Sequence, residues 1–458
     1  MPLLFVFIGI ALLLVLMLKY KFDAFFSLLI TAFFVGVLNK MEIVSILDSI
    51  LLGIGDTMGN IILILVFGAM LGKLIETSGA AHVIASRLIE IFGEKYIQYA
   101  ILVTAFLVGL PMMYNASFLV LIPLVYTLAS TTKIPLLYIG IPLSATLSIA
   151  HGYLPPSPAP VYVSFVFGAD INQVLLLGLV PVIPACLLSG ILLSRFFRKI
   201  NVKPPPALYQ ERTFEPSELP SLRLSILVTI SPVLLMLIGA IIDLSIGVGV
   251  DYKTVFIGTF GDGLISSWLS DLLYLFKFLS DANMALFTAV IIGIFSLGFR
   301  KGDKMPDVMM NLSKSVSSVA MIILIIAAGG AFKQVLTDSG VAEYIKGVAS
   351  GIDFNPLILA WVVAAIIRLA IGSATVATMT AAGIMLPVME SSAVSPELMV
   401  LATGSGSLMF SHFNDVGFWM FKEYFNVTVK QTFAIWTVME CIVAIVGLIA
   451  VLGLSYVI

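Results

Sequence analysis

Charge is scarce in this 458-residue chain: Asp, Glu, Lys and Arg make up 11% of it against 60% hydrophobic residues, and the mean hydropathy is +1.12. A water-soluble core of this length needs far more charged surface, so soluble globular classes are excluded. Cysteine is almost missing. Cys186 and Cys441 both lie in apolar runs, where they pack and form no disulfide framework. A net charge of −2 with no polybasic arm argues against a nucleic-acid partner. There are only three histidines, no metal-ligand spacing, no nucleotide-binding loop of the Walker type and no nucleophile elbow. The one enzymatic alternative is an intramembrane hydrolase built on His412 and Asp415, and a channel is a further alternative.

What the chain does have is long apolar runs, and it repeats itself. The string GAMLGKLIETSG at 68–79 returns as GGAFKQVLTDSG at 329–340, with the closing Ser-Gly pairs 261 positions apart. The same offset relates His151, which follows Ser144-Ala145-Thr146-Leu147, to His412, which follows Ser405-Gly406-Ser407-Leu408. Two such halves in a membrane chain predict one binding site built between them.

A helical span needs about 20 apolar residues. The candidates are 3–18, 23–38, 60–77, 136–167 (interrupted) and 172–197, then 222–242, 284–299, 316–336, 396–425 (interrupted) and 428–457. The first of these lacks a basic leader region and a cleavage site, so it reads as a span and not as a signal peptide. Five crossings per half, an odd number, make the second half enter upside down. The expected fold is an all-α polytopic membrane protein of two inverted-topology repeats, with about ten crossings and two re-entrant hairpins. Residues 1–200 form the first repeat, the proline-rich stretch 201–221 a cytoplasmic linker and 222–458 the second repeat. With both termini outside, most lysines and arginines fall in inside loops, as the positive-inside rule requires. Residues 243–281 read as an outside insertion without a counterpart.

Segment 98–130 is apolar but broken by Gly109-Leu110-Pro111, leaving legs too short to span. Segment 356–387 repeats the form around Gly372-Ser373. Both read as re-entrant hairpins whose tips meet near mid-membrane. Tyr114-Asn115-Ala116-Ser117 and Gly372-Ser373-Ala374-Thr375 offer capping side chains and free amides at the start of each second leg, where the helix dipole favours an anion. Ser and Thr that merely satisfy nearby carbonyls or let helices pack are the plain alternative. An interrupted helix follows each hairpin, at the proline-rich run 151–160 and at 411–415. Short segments at 80–92 and 341–350 read as interfacial helices joining a frame to a moving part.

In AGGAFKQVLTDSG (328–340), RLAIGSATVATMTAAGI (368–384), GSGSLMFSHFNDVGFWMFKEYFN (404–426) and IPLSATLSIAHGYLPP (141–156), the chain resembles the gluconate permease family, within the ion transporter superfamily. The resemblance implies proton-coupled uptake of gluconate or a related sugar acid in the bacterial plasma (inner) membrane. It also implies a homodimeric scaffold with a sliding, elevator-type transport domain. No cofactor is implied beyond the coupling ion, with sodium left open beside the proton. Where that family has Phe-Glu at the first tip this chain has Tyr114-Asn115, and where it has PPHPGP this chain has PPSPAP at 155–160. Both changes remove a titratable group, which keeps glycerate, lactate, hydroxybutyrate and D-serine open as substrates.

A sugar acid carries one carboxylate and several hydroxyls, so its site needs a cationic or amide-rich clamp and two-way hydrogen-bonding partners. Asn115, Ser117, Arg368, Gly372, Ser373, Thr375 and Asn414 are the candidate substrate contacts. Arg368 at membrane depth costs about 3 kcal/mol by insertion scales unless compensated. It pairs either with the substrate carboxylate or with Asp415 and the tip carbonyls. For proton coupling, histidine titrates near neutrality, which selects His412 with Asp415 at i+3, then His151. His82 reads as solvated, and Lys73/Glu76 and Lys333/Asp338 as interfacial pairs.

Overall fold

The computed structural model describes residues 2–132, 134–200, 202–203, 205, 218–247, 250–260, 263–299, 304–341 and 354–458. Among these the chain is helical and contains no strand. The helices are α1 Pro2–Leu18, α2 Ala24–Leu38, α3 Ile43–Thr77, α4 Ala80–Phe92, α5 Ile97–Gly109, α6 Tyr114–Thr132, α7 Leu136–Tyr153, α8 Pro158–Phe167 and α9 Ile171–Phe196. They continue with α10 Leu222–Ile246, α11 Tyr252–Phe260, α12 Leu264–Ser280, α13 Ala282–Gly298, α14 Met305–Asp338, α15 Pro356–Ile371, α16 Ala374–Ser391, α17 Pro396–Gly406, α18 Val416–Tyr424 and α19 Val429–Leu454. With no water to satisfy the backbone inside a bilayer, helix is the form in which apolar runs of this kind close their own hydrogen bonds.

By length and composition seven of the described helices can cross a membrane, or nine if each of two bent pairs counts as one. The expectation of about ten crossings counted α1 and α2 too, which at 17 and 15 residues fall short of a full span, whereas α6, expected as a hairpin leg too short to span, has 19 residues and is among the seven. The bent pairs are α4 with the segment to the end of α5 (109°) and α12 with α13 (83°). Hence α4, expected as an interfacial arm, does turn sharply into α5. Its expected counterpart at 341–350 lies, apart from Val341, outside the described residues, as does most of the 201–221 linker.

The longest helices are α3, with 35 residues, and α14, with 34. At 1.5 Å per residue each runs about 50 Å, more than a bilayer core of about 30 Å. The sequence reading began them only at 60 and 316, because Asp48 and Asp56 in α3, and Lys314 in α14, dilute the hydropathy of their first halves. Tertiary packing supplies what hydropathy does not. The Ser49 hydroxyl donates to Asp338 across 2.6 Å, and a Cβ at Gly53 would strike the Gly330 carbonyl. At the other end of α3, a Cβ at Gly298 of α13 would meet both Leu74 of α3 and Val308 of α14. So α3 and α14 run antiparallel. Each also ends alike, at Ser78 and Ser339, and each is followed by a glycine in the left-handed region, Gly79 (φ +76°) and Gly340 (φ +74°).

Elements at matching positions of the two halves keep matching company. Helix α3 packs on α13 as α14 packs on α2, α5 packs on α7 as α15 packs on α17, and α1 touches α15 as α10 touches α5. The 243–281 stretch holds α11 and α12, knit together by the Thr254 and Tyr274 hydroxyls, which donate to Asp251 at 2.6 Å each and hold that exposed carboxyl below its ordinary range. Lys277 pairs with the buried Asp243, fastening α12 to α10.

Candidate functional site

Four chain interruptions converge in the interior. The first lies between α5 and α6 at residues 110–113, the second at Gly372-Ser373 between α15 and α16. The third follows α7 at 154–157, and the fourth occupies 407–415 between α17 and α18. Prolines dictate the third: Pro155, Pro156 and Pro158 cannot all sit in a continuing helix, and Pro158 instead opens α8. The ends of α7 and α17 meet so closely that a Cβ at Gly152 would strike Leu408, and one at Gly404 would strike the Gly152 carbonyl.

The second tip is built around Arg368, 2% exposed in the last turn of α15. Its guanidinium donates to the Gly372 carbonyl and lies 2.5 Å from the Asp415 carboxylate. Both members of the ion-pair alternative are therefore present: the carboxylate and the tip carbonyl. Its Nε remains buried with no partner among the described residues. Asp415 also caps α18 by accepting from the Gly417 amide at 3.0 Å, and it accepts from the Ser411 hydroxyl. Ser411 is clamped from α19, where Trp436 Nε1 donates to its hydroxyl at 2.7 Å and Thr437 donates to its carbonyl at 2.6 Å. Gly372 (φ +82°) ends α15 in the left-handed region, with Asn414 where a Cβ would stand. Asn414 donates to the carbonyls of Leu369 and Ala370 at 3.1 and 3.3 Å, and its Oδ1 has no partner among the described residues. Ser373 caps α16, accepting from the Val376 amide, and half-buried Thr375 sits in the first turn of that helix.

The first tip differs from expectation. Asn115 is exposed, and buried Ser117 donates to the carbonyl of Met113 just before its helix at 3.1 Å, so neither side chain caps α6 or joins the Arg368 cluster. Tyr114 does join. Its ring stacks on Phe118 (5.9 Å between centroids) and meets Trp436 edge-on (5.8 Å), and its hydroxyl faces Ser144. The helical turn of α6 carries position 114 inward and 115 outward, a rotation that the break alone does not reveal.

His151 and His412 occupy the expected breaks, each with Nδ1 buried and lacking a partner among the described residues. His151 lies within electrostatic range of Asp415. His412 lies against Phe413, 4.6 Å between centroids, and its carbonyl accepts from the Asp415 amide at 2.9 Å. His82, expected to be solvated, is partly buried. Lys73 pairs with Glu76 at 3.1 Å as expected, whereas Lys333 lies over the Phe165 ring and Asp338 instead takes Ser49 and Gln334.

The sequence reading missed Glu440. It is 1% exposed on α19, one turn past Trp436, and its carboxyl faces Ser148 of α7 with neither oxygen reaching a donor at hydrogen-bond distance among the described residues. Its only signal was a lone acidic residue inside an apolar span.

A cavity of about 960 Å³ lies beside this cluster. The face of α3 from Ile64 to Glu76, the α6 face from Ala116 to Thr127, the start of α14 at Lys314, and Ser157 enclose it. It ends on Leu110–Met113 at the first tip. Arg368, Asp415 and Glu440 do not line it. Helix α16 packs along α14 and α8, while α6 stands off α3 across the cavity, so the two halves are packed unequally.

Comparison with known proteins follows the same lines. A profile described as GntP family permease matches residues 1–458. The "Gnt-II system L-idonate transporter" of Escherichia coli K12 is 42% identical over 455 residues, covering 99% of both chains. A "High-affinity gluconate transporter" of the same organism is 42% identical over 458 residues, covering 100% of both, and a "Gluconate permease" of Bacillus subtilis is 38% identical over 467 residues, again covering 100% of both. Among solved structures, the Neisseria gonorrhoeae MtrF chain superposes with a TM-score of 0.62 at 15% identity, covering 90% of this chain and 85% of that one. The Alcanivorax borkumensis YdaH transporter superposes at 0.57 and 16%, covering 88% and 87%. At such identities the likeness is one of fold.

Proposed function

Because the chain belongs to the GntP family of permeases, we propose that it is a secondary active transporter importing gluconate or a related sugar acid by proton symport. The observation that carries this reading is Arg368, a cation buried where the second tip meets a broken helix, with an Nε that no described residue engages. A carboxylate is the natural partner for that donor, and the amide groups at the N-terminus of α16, between Ser373 and Thr375, supply further donors. Asn414 Oδ1 and the Tyr114 hydroxyl are suited to the substrate's own hydroxyls. Asn115 and Ser117 stay in the proposed pathway only as residues of the first tip.

Coupling follows from charge. A monoanion moving into a negative interior is opposed by about 2.3 kcal/mol per 100 mV, and one accompanying proton cancels that penalty. His412, with Asp415, is the proposed proton relay and His151 its counterpart in the other half.

The antiparallel α3 and α14, with their matched neighbours, support two inverted repeats, 1–200 and 222–458, each with a re-entrant hairpin. With both termini outside, Lys73 and Lys314 lie on the cytoplasmic side, and the cavity that they border is then an inward-facing vestibule. Closing α6 onto α3 while α16 parts from α14 is the proposed elevator-type exchange, carried on a homodimeric scaffold in a bacterial inner membrane. A second reading, transport of a different small hydroxy or amino acid, rests on Asn115 and Ser157, neither of them titratable, the latter lining the cavity.

The test is thermal stabilisation of the purified protein by gluconate, idonate, glycerate, lactate, hydroxybutyrate and D-serine at two pH values. Stabilisation by gluconate or idonate is expected. Stabilisation by none of the six overturns the assignment, and by D-serine alone favours the second reading.

A further inference from the structure

Glu440 has no role in the arrangement so far, and its setting is unusual. It sits in the first turn after a π-helical turn at Phe433–Thr437, a form of backbone that clusters at functional positions. Trp436 and Thr437 of that turn hold Ser411, Ser411 holds Asp415, and Asp415 holds Arg368. The backbone that positions Glu440 is thus tied directly to the buried ion pair. From the neighbouring elements the groups that face it or lie in its electrostatic range are Ser148 and Tyr153 on α7, Tyr114 on α6, Arg368 on α15 and Asp415. Tyr153 is itself engaged, donating to the Val443 carbonyl.

Arg368 is the only cation in that set, and Asp415 already neutralises it. A carboxylate at Glu440 is therefore uncompensated, and a substrate carboxylate arriving at Arg368 adds a second negative charge to the same chamber. A proton on Glu440 returns the loaded chamber to the net charge that it had before loading. Like charges in a poorly screened interior repel, so anion and proton must strengthen each other's binding by an equal factor.

We propose that Glu440 is the site that holds the co-transported proton, with its protonation linked to occupation of the Arg368 site. The proposal rests on the sugar-acid symport reading above. The step is a protonation alone: a proton from water enters, an Oε–H bond forms, and the proton leaves to water on the other side. Partly exposed His412 exchanges protons with solvent; Glu440, fully enclosed, retains one.

Reconstituted vesicles separate the possibilities. Labelled gluconate counterflow, which needs no proton gradient, tests transport, while accumulation under an inward proton gradient tests coupling. For one proton per substrate, one pH unit sustains roughly tenfold accumulation. Wild type is expected to show both. Glu440→Gln is expected to keep counterflow but to lose accumulation, and its gluconate affinity should no longer change with pH; Glu440→Asp should recover part of the accumulation. Full accumulation by Glu440→Gln overturns the proposal and leaves the symporter reading standing. No counterflow by wild type overturns that reading and the proposal together. Should Glu440→Gln fail to fold, wild type in weakly buffered detergent decides: gluconate binding must withdraw about one proton per carrier, in His412→Ala as well, and no withdrawal overturns the proposal.

Discussion

The Arg368 guanidinium lies 2.5 Å from the Asp415 carboxylate, and the two side chains are 2% and 16% exposed. One comes from the end of α15 and the other from the break before α18, so this contact joins the second tip to the second broken helix. Removing one partner of a buried pair leaves the other charged and stranded, at about 3–5 kcal/mol. Asp415→Ala should therefore lower the melting temperature sharply as well as abolish counterflow, whereas Trp436→Phe, which removes one hydrogen bond to Ser411, should cost only about 1 kcal/mol. Equal melting temperatures for the two variants would contradict the central place given to the pair.

Gly372 and Gly340 make a controlled comparison. Both are in the left-handed region, where a non-glycine residue costs about 1–2 kcal/mol. Among the described residues a Cβ at Gly340 meets nothing within 4 Å, but at Gly372 it meets Asn414. Gly340→Ala should lower stability slightly and leave gluconate exchange measurable. Gly372→Ala should lose exchange, because the second tip and Asn414 cannot both keep their places.

The cavity's orientation can be read by thiol chemistry. Ser318→Cys, in the cavity wall, should react with a membrane-impermeant maleimide in inside-out vesicles and be protected in right-side-out ones. Labelling solely from the outer side would reverse the proposed topology. Native Cys186 is buried, and half-buried Cys441 is first replaced by Ser.

His412 is expected to pass protons between solvent and the chamber. In His412→Ala, gluconate uptake should no longer alkalinise the outside medium, while gluconate still stabilises the protein against heat. Undiminished alkalinisation in that variant would remove His412 from the relay.

Gly53 and Gly330 hold α3 and α14 at close quarters, in the manner of small residues between membrane helices. Gly330→Leu should prevent that approach and yield little folded protein in detergent, as judged by size-exclusion chromatography. A monodisperse, active Gly330→Leu protein would mean that the two long helices have more freedom than their packing indicates.

Much of this was legible in advance because its causes are local. Pro111, Gly372 and the prolines at 155–158 break helices wherever they stand, and the Ser-Gly pairs at 78/79 and 339/340 terminate helices by the same left-handed glycine. Apolar runs between them have no option in lipid but to be helical. What escaped was decided by rotation and by contacts between distant segments. Asn115 and Tyr114 are neighbours in the chain, yet packing against Phe118 and Trp436 turns only Tyr114 inward. The early turns of α3, mostly exposed, are tied to the end of α14 by Ser49, which donates to Asp338, 289 positions away in the chain.

The amino-acid order by itself determined that this is a helical membrane chain with recurring strings, and where its helices are interrupted, since hydropathy and proline or glycine geometry act within a few residues. The tertiary structure alone decided which charges face one another: that Arg368 is given to Asp415, and that Glu440 is left uncompensated against Ser148. Electrostatic partnership depends on distance through space, and three helices from opposite ends of the chain must pack before those distances exist.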